Sequence, residues 1–125
     1  NIKRLNKNIV KINKSIKHSK VNILLKKYKF IVIPSQSEVF PIVYYEALNA
    51  NVIPIVNDID FFRITSSSVD CHFFNINSSF SLTSTIKWAD QLNESDYIKY
   101  INILKFEFME YYKRQSKYLD DLLEF

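Results

Sequence analysis

Two glutamates with a proline between them are the residues of this sequence whose types and spacing suggest chemistry. Glu38 lies in a segment rich in serine and proline, and Glu46 follows eight positions later. Pro41 suits the first turn of a helix, because its missing N–H would have no helical partner there. The N–H groups of Ile42 and Val43 at that helix start can bind an anion such as a phosphate. A carboxylate such as that of Glu46 accepts hydrogen bonds from sugar or ribose hydroxyls.

Two continuous apolar runs predict the strands that position these glutamates. Residues 30–34 and 52–56 are both typical of strands buried in a parallel sheet. A helix is predicted between them, from Pro41 to near Asn51. Strand, helix and strand within about 27 residues form a βαβ unit, whose crossover is almost always right-handed. Ligands of such sheets bind beyond the carboxyl ends of the strands, which is where Glu38 lies.

Further elements on both sides of this unit predict an α/β fold with an open, mostly parallel sheet and long C-terminal helices. They are a helix over 20–28 capped by Ser19, a short strand over 71–76, a helix from a Ser81 cap to Leu92, and a long terminal helix capped by Ser95. Near the N-terminus, the apolar spacing over 2–16 favours an amphipathic helix, whereas 8–12 is also typical of a short strand. Periodicity alone does not decide between them.

The chain contains no glycine among its 125 residues. This excludes the glycine-rich dinucleotide fingerprint and the Walker A loop, and it disfavours an EF-hand. Positions with positive φ must be filled by Asn or Asp, which are the other residues that adopt the left-handed conformation most readily. Asn51 is predicted to be such a position, at the end of the helix that follows Pro41.

The positive charge is concentrated in the first third of the chain. The net charge is +4, but the residues up to Ser37 contain ten Lys or Arg and no acid, whereas the rest contains seven against thirteen acids. Such a segment can contact nucleic acid, an anionic membrane surface or a phosphorylated ligand, or it can be a solvated lysine face. Aromatic residues are not interleaved with the lysines before Tyr28, which disfavours single-stranded nucleic acid.

The single cysteine, Cys71, excludes an internal disulfide, and no apolar run approaches the roughly 20 residues of a membrane span. We therefore expect a cytoplasmic protein, with peripheral contact to an anionic membrane as an option. Cys71 and His72 lack the spacing of a zinc site and are predicted to be packing residues, as Trp88 is. His18 is expected to be solvated.

The segment around the two glutamates resembles the E-x7-E segment of retaining, nucleotide-sugar-dependent glycosyltransferases of the GT-B fold, family 4 type. The likeness covers most of residues 19–94 and rests on five stretches of sequence. These are Val32–Ser35, Ser37–Leu48, Asn51–Val56, Phe74–Asn77 and Ser84–Leu92. The resemblance implies one Rossmann-like half of a GT-B fold.

This resemblance also implies roles for individual residues. Glu38 would contact the transferred sugar as the catalytic residue, and Glu46 would accept hydrogen bonds from the nucleotide ribose. The backbone would hold sugar hydroxyls and diphosphate at Phe40, Pro41, Ile42 and Val43. No metal or other cofactor is implied, because the nucleotide sugar is itself the substrate.

The resemblance further implies that residues 1–125 are a single domain, part of the C-terminal nucleotide-sugar-binding domain of a longer glycosyltransferase. An N-terminal domain or a partner chain would bind the acceptor, so the isolated chain is expected to be incomplete as an enzyme. The same comparison makes Asn8 to Ile12 a strand, and we adopt it over the helical interpretation.

The chain departs from the family pattern at its glycines and in the residues that neutralise the diphosphate. Val39 stands where relatives usually have glycine after the first glutamate, and its side chain would crowd the donor. The glycine pair usual after the second strand is missing from 57–62. The family's Arg and Lys lie upstream of the similar region, and no matching position supports Arg63 as a replacement.

Two other classes of function remain open on the sequence alone. One is a non-catalytic α/β binding or assembly module derived from such an enzyme, in which Glu38 and Glu46 are ordinary surface acids. The other is a basic domain that contacts nucleic acid, which the lysines alone would favour. Asp58 and Asp60 are predicted to be structural, and the aromatic-rich tail over 106–125 is typical of a partner surface.

Overall fold

Three parallel strands, with helices packed around them, form the centre of the molecule. The computed structural model describes residues 15–38 and 41–123. In chain order the elements are α1 (His18–Leu25), β1 (Phe30–Ile33), α2 (Ile42–Asn49), β2 (Ile53–Asn57), α3 (Asp60–Ser66), a single 3₁₀ turn (Asp70–His72), β3 (Phe73–Phe74), α4 (Ser79–Gln91) and α5 (Glu94–Leu123). The predicted α/β class is confirmed. The expected strand over 8–12 lies outside the described residues.

The strand order is β1-β2-β3, with every pairing parallel. Phe30 pairs with Ile53 at the start of β1, and Val56 pairs with Phe73 at the start of β3. All five residues of β2 are buried, as the continuous apolar run predicts for a central strand. In β1 only Ile33 is fully buried, because this strand is at the edge of the described sheet.

The connection from α2 to β2 confirms the prediction for Asn51. Its φ is 59°, the only positive value found among the described residues. The N–H of Val52 donates to the carbonyl of Ala47 over 2.9 Å, and that of Asn51 donates to Leu48 over 3.1 Å. These two bonds form a Schellman motif, with asparagine at the position that glycine usually occupies.

Two side chains of α5 form hydrogen bonds with this turn, which lies at the amino ends of the strands. The hydroxyl of Tyr97 lies 2.6 Å from the carbonyl oxygens of both Lys29 and Asn51, and its single proton can be donated to one of them at a time. Lys105 Nζ donates to Asn51 Oδ1 over 2.5 Å. We call Lys29, Asn51, Tyr97 and Lys105 the amino-edge clasp.

The predicted helix caps are wrong, although the helices themselves are present. α1 begins at His18 with no side-chain cap, so Ser19 lies inside its first turn. Ser78, not Ser81, caps α4 by accepting from the N–H of Ser81 over 3.2 Å. Asn93, not Ser95, caps α5, and its Oδ1 accepts from the N–H of Asp96 over 2.8 Å.

Helix α3 and the length of α5 complete the core. Residues 60–66, to which the sequence analysis assigns no element, form α3 and bury Phe62. Phe62 packs against Tyr44 of α2, and Tyr44 packs against Phe108 of α5, with ring centroids 5.2 Å and 5.3 Å apart. Trp88 is partly buried and packs against this core, as predicted. Within the described ranges, no helix is both long enough and apolar enough to cross a membrane.

Candidate functional site

Glu38 lies between two cavities beyond the carboxyl end of β1. One cavity of about 410 Å³ extends from the end of β1 to the start of α2. Its lining consists of Val32, Ile33, Pro34, Ser35, Glu38, Pro41, Ile42 and Val43. A second cavity of about 400 Å³ is lined by Gln36, Ser37, Glu38, Ile59, Asp60 and Phe61. We call the two together the Glu38 cleft. Glu38 is half-buried there, and no other residue lines both cavities among those described.

The start of α2 forms one wall of this cleft. Pro41 precedes the first helical residue as its N-cap, one position earlier than predicted, and its carbonyl accepts from the N–H of Tyr45 over 3.2 Å. No side chain of the described ranges caps this helix. The side chains of Ile42 and Val43 are exposed towards solvent. The wall therefore combines apolar side chains with a helix N-terminus, where the dipole favours a negative group.

Glu46 contacts α1 instead of lining the cleft. Its side chain is 17% exposed, and Oε1 lies 3.4 Å from Nδ1 of His18. His18 is 81% exposed, so the prediction of a solvated histidine is confirmed, but the contact with Glu46 was not foreseen. Ile42 and Glu46 are four residues apart on one helix and therefore share a face. This face leads from the Glu38 cleft to the start of α1.

Asn57, at the end of β2, forms hydrogen bonds with the segments that follow β1 and β3. This residue was not identified from the sequence. It is buried at the end of β2. Its Nδ2 donates to the carbonyl of Ser35 over 3.2 Å, and its Oδ1 accepts from the N–H of Ile76 over 3.0 Å. The one available signal was an amide residue at the end of an otherwise apolar strand. Asn57 thereby fixes the position of Ser35 in the lining of the cleft.

A family model described as glycosyl transferases group 1 matches residues 2–67. The match covers more than half of the 125 residues and includes Glu38, Glu46, α1, α2 and both strands of the βαβ unit. The chain belongs to this family of glycosyltransferases. The chemistry of this family is sugar transfer, and the parallel sheet with flanking helices is consistent with a Rossmann-like half of a GT-B fold. Comparisons with curated proteins and with solved structures found no match.

Arg63 of this glycosyltransferase is held by two carboxylates and an aromatic ring. Its guanidinium donates to Asp58 over 2.6 Å and 2.8 Å and to Asp70 over 2.5 Å, and it lies 3.9 Å from the centroid of the Phe73 ring. The hydrogen bonds from Arg63 lower the pKa of Asp58, and those to Asp58 and Asp70 raise the pKa of Arg63. The predicted structural role of Asp58 is thus supported, and Arg63 is already engaged with acids of its own chain.

His72 and Cys71 have opposite surroundings. His72 is fully buried, with Nδ1 2.8 Å from the carbonyl oxygen of Pro54 and Nε2 3.3 Å from that of Ser66. Its full burial agrees with the predicted packing role, and this burial lowers the pKa of His72. Cys71 is exposed, so its prediction as a packing residue is wrong. In the described part of the glycosyltransferase, no three His, Cys, Asp or Glu side chains come together as a metal site.

Proposed function

We propose that this glycosyltransferase binds a nucleotide sugar in the Glu38 cleft and transfers the sugar with retention of configuration, as the family 4 type with its E-x7-E motif does. One observation carries the proposal. A half-buried carboxylate lies between two cavities at the carboxyl edge of a parallel sheet, beside the start of a helix. That edge is where open α/β sheets bind nucleotides.

In this proposal, different residues of the cleft bind different parts of the donor. The carboxylate of Glu38 stabilises the positive charge that develops on the sugar as its bond to the diphosphate breaks. The N-terminus of α2, at Ile42 and Val43, faces the negative diphosphate, and the backbone from Phe40 to Pro41 holds sugar hydroxyls. Phe40 itself lies outside the described residues. Catalysis is then mainly positioning and charge stabilisation.

Glu46 accepts hydrogen bonds from the ribose hydroxyls. Its contact with His18 uses Oε1, and the carboxylate has a second oxygen for a ribose hydroxyl. The shared helix face of Ile42 and Glu46 gives the ribose a path from the diphosphate wall to this carboxylate. The donor would thus extend along α2, with the sugar at Glu38 and the nucleoside near α1.

Acceptor binding is assigned to a second domain or a partner chain, because the proposed donor contacts use the Glu38 cleft and the α2 face beside it. No metal or cofactor is required in this account. The cytoplasmic location suggested by the single cysteine stays a prediction.

Calorimetric titration of the protein with a panel of nucleotide sugars tests the proposal. We expect binding by at least one donor, weakened about tenfold or more in Glu46→Ala, since a hydrogen bond to a charged group contributes about 1.5–3 kcal/mol. Glu94→Ala removes an exposed acid from the opposite edge of the sheet and is the matched control. If no nucleotide sugar binds, the donor proposal fails. If Glu46→Ala binds as tightly as the wild type, the ribose role fails.

A non-catalytic module derived from such an enzyme is the second candidate. The observation that favours it is the engagement of Arg63 by Asp58 and Asp70, which leaves this cation committed within the fold. Binding of nucleotide sugars without any transfer or hydrolysis, even with acceptor and partner supplied, would favour the module. Turnover that depends on Glu38 would exclude it.

A further inference from the structure

The outer face of α1 carries exposed aliphatic and cationic side chains together. Lys20 and Ile23 lie on this face, and Ile16 and Lys27 continue it at the two ends with a spacing of four, three and four residues. Ile23 is 64% exposed, and Tyr28, three residues after the end of the helix, is 55% exposed. This face contributes nothing to the core of the domain.

The inner face of the same helix accounts for its folding. Leu25 is buried against Ala47, Ala50 and Val52, and Val21 packs beside it. The inner face therefore attaches α1 to α2 and to the start of β2. The packing of the domain does not require an isoleucine at position 23, so this exposed residue needs another explanation.

The charged side chains of the segment that contains α1 all have one sign. Residues 15–37 contain Lys17, Lys20, Lys26, Lys27 and Lys29 and no acid. From neighbouring elements, Glu46 faces His18, and Glu94 lines a cavity with Lys26 and Lys29. Within the described ranges, no ion pair joins any of these lysines to an acid. The positive charge is thus available to a partner.

We propose that the outer face of α1, made up of Ile16, Lys20, Ile23, Lys27 and Tyr28, binds the surface of an anionic membrane. Lysines attract anionic headgroups, while isoleucine and tyrosine side chains insert at the boundary between headgroups and acyl chains. A nucleic acid would use the lysines but would leave the two isoleucines exposed to water. The combination of aliphatic and cationic residues on α1 and the residues that flank it therefore favours lipid. This inference does not depend on the donor proposed above.

Flotation of the protein with vesicles tests this surface. We expect binding to vesicles of phosphatidylcholine and phosphatidylglycerol, weakening as salt is raised, and little binding to phosphatidylcholine alone. Each lysine near an anionic surface contributes about fivefold to binding, so Lys20→Glu/Lys27→Glu should lower the affinity by about 25-fold or more. Lys87→Glu/Lys99→Glu makes the same charge change at exposed positions on α4 and α5 and should have a much smaller effect.

A second pair of variants tests the aliphatic part. Ile23→Asp should lower binding to anionic vesicles by about tenfold, because it removes an inserted side chain and adds repulsion. Ile64→Asp is its match, since Ile64 on α3 is 62% exposed, and binding should change little. Circular dichroism verifies the fold of each variant, and all six substituted positions are exposed.

Three results would overturn the proposal. They are equal binding to neutral and anionic vesicles, equal effects of the α1 variants and their controls, and absence of vesicle binding. If a single-stranded oligonucleotide binds with the same dependence on Lys20 and Lys27 while vesicles do not, the surface is a nucleic-acid site instead.

Discussion

The two edges of the sheet differ in how their polar groups are used. At the amino edge, Tyr97 and Lys105 donate hydrogen bonds to backbone and side-chain oxygens of Lys29 and Asn51. At the carboxyl edge, Glu38 is half-buried between two cavities. The amino edge is therefore built for stability, and the carboxyl edge leaves a carboxylate accessible to a ligand. Substitutions at the two edges should accordingly separate stability from activity.

The largest expected effect is on sugar transfer in Glu38→Gln. The change keeps the shape of the side chain but removes the charge that stabilises the transition state, and such groups contribute about 100- to 1000-fold to kcat. Steady-state assays with the identified donor, and with acceptor and partner supplied, should show this loss in kcat. The melting temperature should change little, because Glu38 is at the surface of the cleft. Glu94→Gln is the control at the amino edge, and an equal loss there would remove the distinction between the edges.

Asn57→Ala should affect both stability and donor binding. It leaves the carbonyl of Ser35 and the N–H of Ile76 without their partner, which costs about 2–3 kcal/mol of unfolding free energy. It also releases the lining of the Glu38 cleft, so donor affinity should fall. Tyr97→Phe is the comparison at the amino edge, where loss of one hydroxyl should cost about 1 kcal/mol and leave donor affinity unchanged. Urea denaturation and calorimetry measure the two effects, and unchanged donor affinity in Asn57→Ala would contradict the positioning role.

Substitutions of Asn51, at the amino edge, should change stability alone, in contrast to substitutions in the cleft. Asn51→Ala should lower the unfolding free energy by about 1–2 kcal/mol, because alanine tolerates positive φ poorly and the contact with Lys105 is lost. Asn51→Gly also loses the contact with Lys105 but regains the backbone freedom, so it should be more stable than Asn51→Ala. Chemical denaturation of both variants is the measurement. A glycine variant as unstable as the alanine variant would show that the turn does not depend on φ.

The smallest expected effect is a decrease in the free energy of unfolding at acidic pH, caused by protonation of His72. This residue lies at neither edge of the sheet. Burial lowers its pKa below the ordinary value of 6.5, so the unfolded chain takes up the proton first as pH falls. The stabilisation that comes from keeping His72 neutral is complete above pH 6.5 and is lost as the pH falls below it. For one proton, the free energy of unfolding changes by at most about 1.4 kcal/mol per pH unit. Denaturation curves between neutral and mildly acidic pH should show this decline in the wild type and in His18→Gln. His72→Gln should lose it, and an unchanged decline in that variant would contradict the assignment.

The sequence predicted the βαβ unit well because its signals are local. Two apolar runs define β1 and β2, and Asn51 lies two residues after the end of α2 as the residue best able to replace glycine. The caps were wrong by up to three positions. Serine and asparagine occur at several adjacent sites near each helix start, and the choice between them depends on the local backbone. Helix α3 was missed because seven residues are too few to show a helical apolar period.

The candidate site was predictable only in part, for a different reason. Glu38 could be placed because it follows a strand and precedes a helix within a few residues. The hydrogen-bond partners of Asn57 are 22 and 19 residues away in the sequence. The two carboxylates that bind Arg63 lie on either side of it in the sequence. The pairing of Glu46 with His18 likewise depends on how α1 packs on α2. Such long-range contacts follow from tertiary packing, which local patterns do not encode.

The most direct test of the central claim is NMR titration of the labelled protein with the nucleotide sugar that binds in calorimetry. We predict that the largest amide shifts cluster at the carboxyl edge, at Glu38, Ile42 and Val43, and extend along α2 to Glu46. The amides of Asn51 and Tyr97 at the amino edge should move little. Shifts concentrated at the amino edge, or spread without preference over both edges, would contradict the assignment of the Glu38 cleft as the donor site.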